Sequence, residues 1–138
     1  MKKFVLFANI IIILTAFTGT LLAGLTLQYF TAKTNTDGIL VEWKTGDEGG
    51  TTRFEIERSA SNPDNFIFIK SLNSAGNNSY YSFLDNSVSF KSENNSIYYY
   101  RLKCYQSNGS YTYSNTISVV HAVSGIKNTW GSIKAIFR

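Results

Sequence analysis

An all-β sandwich is the fold this sequence predicts, and three observations predict it. Alternating apolar and polar segments recur roughly every ten to fifteen positions from Leu25 to Val120, each followed by a turn-forming cluster. The composition is that of strands, with ten Phe, nine Tyr, two Trp and a single Pro. Aromatic residues favour the pleated backbone and bury large areas. No window in that stretch sustains a helical period of apolar residues.

The first element stands apart. Met1-Lys2-Lys3 precedes an apolar run from Phe4 to Leu22, and Leu21-Leu22-Ala23 places a small residue just before Gly24. This is the layout of a secretory signal peptide, a signal helix over residues 1–23. An uncleaved membrane anchor is the alternative, since the run approaches the roughly 20 residues that span a bilayer. No cysteine stands at the cleavage point, which argues against a lipoprotein anchor.

Seven strands are expected over residues 24–121. Leu25 to Phe30 is the first, closed by the turn Thr34-Asn35-Thr36-Asp37-Gly38. Ile39 to Trp43 is the second, with Ile39, Val41 and Trp43 on one face. Phe54 to Arg58 is the third, with Phe54 and Ile56 inward and Glu55 and Glu57 outward. Phe66 to Leu72 is apolar on both faces, and Tyr80 to Leu84 is the fifth strand. Ile97 to Tyr105 is the most regular: Tyr98, Tyr100, Leu102 and Cys104 share one face, while Tyr99, Arg101, Lys103 and Tyr105 share the other. Charged side chains need water, so the first set is assigned to the core. Ser107-Asn108-Gly109-Ser110 is a hairpin signal, and Tyr111 to Val120 is the seventh strand.

Charge removes one class of function. The chain carries 13 basic and 9 acidic residues, a net charge of +4. Setting aside the two lysines of the leader and the three basic residues of the tail (Lys127, Lys134, Arg138) leaves eight basic against nine acidic residues in the globular part. A nucleic-acid module needs a basic face on the fold itself, so nucleic acid is not an expected partner. The only cysteine is Cys104. It can form no intramolecular disulfide and no cysteine zinc cluster, and its inward parity makes it an inert small hydrophobe.

Several of these residues together carry a family resemblance. Trp43 ends the second strand, Phe54-Glu55-Ile56-Glu57-Arg58-Ser59 forms the third, and Tyr81-Ser82-Phe83-Leu84-Asp85 the fifth. Tyr99-Tyr100-Arg101-Leu102-Lys103, Asn108-Gly109 and Tyr113-Ser114 complete the pattern. The set resembles the fibronectin type III-like domain of secreted Bacteroidetes-type bacterial proteins, a module associated with type IX secretion. The resemblance implies a seven-stranded immunoglobulin/fibronectin type III-like sandwich. It implies a spacer, adhesion unit or carbohydrate-enzyme accessory rather than a catalyst, although fold by itself does not assign function. The chain departs from the pattern in lacking the usual sorting domain, since 18 residues follow Val120.

Each candidate site also has a plain structural role open to it. Asp47-Glu48-Gly49-Gly50 places adjacent carboxylates in a corner. Calcium needs six to eight converging oxygens, and no spaced aspartate series supplies them, so a solvated turn is expected. Glu55 and Glu57 lie on one strand face and do not flank a cleft as glycosidase carboxylates do; pairing with Arg101 or Lys103 across the sheet is expected. His121 is the only histidine, and no nucleophile elbow accompanies Ser118 or Ser124. Tyr98 is placed to form a tyrosine corner. The outward aromatics Tyr99, Tyr105 and Tyr111 form a candidate binding face for a glycan or a protein.

The tail, residues 122–138, is apolar and basic. Trp130, Ile133, Ile136 and Phe137 lie within it, a density of large apolar residues that disordered tails lack. It reads as a packing element or as a docking or sorting segment for a protein partner or secretion machinery. The sequence thus predicts an exported, non-enzymatic cell-surface or extracellular interaction module without a cofactor or metal. Its membrane contact would be limited to the leader, if that is uncleaved. The alternative is a carbohydrate-binding accessory domain that uses the exposed tyrosines.

Overall fold

A computed structural model describes residues 24–88 and 96–121. The leader 1–23 and the tail 122–138, with Trp130, Ile133, Ile136 and Phe137, lie outside the described residues. Eight strands and no helix are found among them: β1 (Leu27–Asn35), β2 (Gly38–Thr45), β3 (Thr51–Ala60), β4 (Ile67–Asn73), β5 (Tyr80–Asp85), β6 (Ser96–Gln106), β7 (Tyr111–Tyr113) and β8 (Ile117–His121). They form two antiparallel sheets. One has the order β1-β2-β5; the other has the order β4-β3-β6-β7, with β8 also paired to β6.

Period-2 alternation explains the inward set. Ile39, Val41 and Trp43 of β2 are fully buried, as are Phe54 and Ile56 of β3 and Tyr100, Leu102 and Cys104 of β6. The two sheets share this one core, which gives the fold its sandwich character. At its centre Trp43 stacks on Tyr81, with ring centroids 5.0 Å apart, and meets Phe54 edge-on at 5.8 Å. The Trp43 indole N–H is buried with no acceptor among the described residues.

Two strands differ from the sequence expectation. The first runs on to Asn35 because Asn35 pairs with Gly38, so the turn is only Thr36-Asp37. A register shift between Leu27 and Tyr29 also reverses the parity, so that Leu27 before it and Phe30 and Ala32 after it all pack on the core. Gly38 is required by close approach, since a Cβ there would strike the Asp85 carbonyl oxygen.

The expected seventh strand is two strands. Tyr113 pairs with Lys103 and Ile117 with Tyr100, so one extra residue is inserted between them. Ser114 fills the gap: its hydroxyl accepts from Leu102 N–H at 2.9 Å, and its N–H donates to the Leu102 carbonyl at 2.9 Å. An odd insertion reverses side-chain parity. Tyr111 and Tyr113 therefore face outward, while Ile117 and Val119 pack on the core.

Candidate functional site

The acidic corner between β2 and β3 comes first, because its chemistry departs from expectation. Gly49 and Gly50 adopt φ of 56° and 78°, a region that favours glycine. Asp47 Oδ1 accepts from Gly49 N–H at 2.8 Å, an ordinary turn contact. Glu48, expected in solvent, is instead 3% exposed. Its Oε1 accepts from Thr45 Oγ1 at 3.0 Å and Tyr81 Oη at 2.5 Å. Its Oε2 accepts from Ser74 Oγ and from Gly76 N–H at 3.2 Å. Its own N–H donates to Asn77 Oδ1 at 2.8 Å.

Four protein donors thus take the place of water around a buried carboxylate, and the corner is tied to the connection between β4 and β5. Burial, then the Glu48 carboxylate, push the Tyr81 hydroxyl above the usual tyrosine range. Burial also pushes the Cys104 thiol up to about 12, with Glu48 adding to the shift. The corner is a structural knot. Among the described residues no three His, Cys, Asp or Glu side chains converge as metal ligands would.

A matching tie closes the other end of β2. Arg58 of β3 donates to Asp85 Oδ2 at 2.5 Å and Tyr100 of β6 donates to the same oxygen at 2.8 Å. Asp85 sits in the other sheet, so the ion pair links the two layers. Tyr98, beside it, is buried with the Arg58 guanidinium 5.6 Å from its ring centroid. The backbone preceding β6, to which a tyrosine corner would bond, lies outside the described residues.

The outer face of the five-stranded sheet carries the remaining polar and aromatic residues. Glu57 opposes Arg101 in the β3–β6 ladder, and Arg101 Nε donates to Glu57 Oε2 at 2.7 Å. Glu55 pairs instead with Arg53, two positions away on its own strand, at 3.1 Å. The carboxylates lie deeper than their partners. Glu55 and Glu57 side chains are 16% and 12% exposed, against 46% and 26% for Arg53 and Arg101.

The cations are held by rings. The Arg101 guanidinium lies 4.1 Å from the Phe66 ring centroid and 3.9 Å from that of Tyr113. Lys103 Nζ lies 4.1 Å from the Tyr111 centroid and 5.1 Å from that of Tyr105, and Arg53 lies 4.1 Å from Tyr105. The hydrogen bond with Tyr105 raises the Lys103 ammonium above the usual lysine range; solvent loss opposes it, and the neighbouring tyrosines reinforce it. Tyr105 and Tyr111 ring centroids are 5.7 Å apart at 54°, and Tyr111 and Tyr113 are 5.5 Å apart at 70°.

Tyr105 and Tyr111, both predicted as binding residues, are therefore brought together. Tyr99 shares their face by parity but stands opposite Ser59 and Ser118, away from the ring cluster. Tyr113, Arg53 and Phe66 complete the cluster and were not singled out from sequence. The signal for Tyr113 is its parity with Tyr111, which an uninterrupted strand over 111–120 gives equally to Ile117 and Val119 and so does not single out. Ser118 and His121, three residues apart in β8, fall on opposite faces, with His121 buried.

No family model and no curated protein matches the chain. Two solved structures are similar to it. Pectate lyase PelI from Erwinia chrysanthemi in complex with tetragalacturonic acid is 23% identical at a TM-score of 0.52, over 70% of this chain and 28% of that one. Pectate lyase Pel3 from Pectobacterium carotovorum is 22% identical at a TM-score of 0.48, over 67% of this chain and 26% of that one. The chain spans little more than a quarter of either protein, and the likeness to PelI is one of fold.

Proposed function

We propose that the chain is an exported, non-enzymatic interaction module with a fibronectin type III-like sandwich. Its ligand-contacting surface is the outer face of the five-stranded sheet. The observation that carries the reading is the cluster of Arg53, Arg101 and Lys103 held over Tyr105, Tyr111 and Tyr113. Such groups are otherwise free to scatter into water, and exposed clusters of this composition mark interaction surfaces.

Three further features support it. A three-stranded and a larger antiparallel sheet exchange strands through the β2–β3, β4–β5 and β5–β6 connections, as sandwiches of the immunoglobulin kind do. The apolar leader over 1–23 supports export to the cell surface or medium. The two buried carboxylates among the described residues, Glu48 and Asp85, are occupied by internal donors. The tail from Trp130 to Phe137 is read, on composition, as a separate docking or sorting element.

The test is retention on an immobilised cell-envelope preparation from the source cells, read by mass balance between bound and free protein. Wild-type protein is expected to be retained. A variant with Arg53→Gln, Lys103→Gln and Tyr111→Ser is expected to pass through. Equal retention of the two would remove the sheet face as the binding surface. Loss of retention on deleting residues 130–138 alone would transfer the role to the tail.

A further inference from the structure

We infer that the ligand of this sheet face is an acidic polysaccharide, a polymer that carries a carboxylate on its sugar rings. The inference rests on the proposed reading of the face as a binding surface and names what it binds.

The geometry of the rings decides against a neutral sugar. Stacking of sugar on tyrosine needs an uncovered, flat aromatic platform. Here the neighbouring rings are turned 54° and 70° from one another. Cations also stand over the faces of Tyr105, Tyr111 and Tyr113 at 3.9 to 4.1 Å. The tyrosines hold the cations upright and offer little bare surface of their own.

What the face does offer is hydrogen-bond donors. Arg101 uses only Nε on Glu57, and its two terminal nitrogens have no acceptor among the described residues. Lys103 has no carboxylate partner among the described residues. The carboxylates that balance the two arginines lie beneath them, so the outermost charge is positive. A guanidinium edge matches a planar carboxylate. The exposed hydroxyls of Tyr111 and Tyr113 match sugar hydroxyls.

The arrangement is also linear. Arg101, Lys103 and Tyr105 follow one another along one face of β6, with Arg53 opposite Tyr105. At about 3.3 Å per residue the row spans roughly 13 Å. A single small anion cannot reach both ends, whereas a chain with repeated carboxylates can. An acidic peptide fits less well: the Phe66 ring is covered by Arg101, and the exposed apolar side chains Ile67 and Phe68 stand on β4, at the other end of the sheet from Tyr111 and Tyr113 of β7.

The experiment is affinity electrophoresis of the full chain, as its host processes it, through gels holding polygalacturonate, alginate, dextran or poly-glutamate. Retardation is expected in the two polyuronates, weakening as salt screens the contacts, with none in dextran and much less in poly-glutamate. The Arg53→Gln, Lys103→Gln variant should lose affinity for the polyuronates by roughly tenfold or more, since charge-assisted hydrogen bonds are the strong ones. Both side chains are solvent-facing, so an unchanged thermal melt certifies the fold of the variant. A Tyr113→Leu variant, which keeps every charge but removes a ring from Arg101, should show a smaller loss. No retardation in either polyuronate, equal retardation in dextran, or equal retardation in poly-glutamate would each overturn the inference. Envelope retention that depends on the face but is not competed by polyuronate would overturn it while leaving the binding-surface reading intact. Retention indifferent to the face would overturn both.

Discussion

Tyr81 donates its hydroxyl to Glu48 at 2.5 Å inside the end of the sandwich, while its ring stacks on Trp43. One residue thus joins the polar knot to the apolar core. Replacing Glu48 by Ala strands the donors of Thr45, Ser74, Gly76 and Tyr81 together. The expected cost is about 3 kcal/mol, since each stranded buried donor costs about 1–3 kcal/mol and the loop can relax to recover part. Tyr81→Phe should cost about 1–2 kcal/mol. In a double-mutant cycle by urea denaturation the pair should be non-additive; strict additivity would mean that the two groups do not cooperate.

Asp85 makes stability sensitive to acid. Burial pushes its carboxyl up, but hydrogen bonds from Ser87, Tyr100 and Arg58 and the Arg58 charge outweigh this and hold it below the usual range. A carboxyl depressed by folding contributes stability above its unfolded pKa of about 3.9. That contribution is lost as pH falls through the lower folded value. The wild type should therefore exceed Asp85→Asn in stability at pH 7, with the gap closing below about pH 4. A gap that stays constant down to pH 2, measured by denaturation at several pH values, would contradict the assignment.

Cys104 should be chemically silent in the folded protein. Its thiol is buried and pushed up to about 12, and only the thiolate reacts at a useful rate. Labelling with a thiol reagent at pH 8 is expected to follow global unfolding and to speed up with added urea. Rapid stoichiometric labelling without denaturant would place the thiol at the surface.

The extra residue between β7 and β8 should be dispensable. Deleting Asn115 leaves Ile117 three positions after Tyr113, in uninterrupted register opposite Tyr100 of β6, so Ile117 and Val119 keep their inward face. The deletion should therefore cost about 1 kcal/mol or less. Ser114→Ala, which removes only the acceptor for Leu102 N–H, should cost about 1 kcal/mol. Thermal melts of both variants test this; a deletion far less stable than the serine variant would show that β8 needs the extra residue for more than register.

The sequence showed β6 clearly because its alternation is unbroken over Tyr98 to Tyr105. It did not show the division of the following segment, because a one-residue insertion leaves no compositional mark in Ser114-Asn115-Thr116. The pairing of Glu57 with Arg101 was foreseeable from facing strands. Burial of Glu48 was not, since its donors Ser74 and Tyr81 are 26 and 33 residues away and only the folded chain assembles them. Of the ring and cation cluster on the outer face, Tyr105 and Tyr111 were visible from parity, but the cations over their rings depend on rotamers that sequence does not specify.

The two ends of β2 are each fastened by a carboxylate, Glu48 at one and Asp85 at the other, while the one thiol is shut in the core. Nothing in the described fold therefore responds to reductant or oxidant. The domain would hold equally in a reducing and in an oxidising compartment. Acid, acting on Asp85, is a condition that would loosen it.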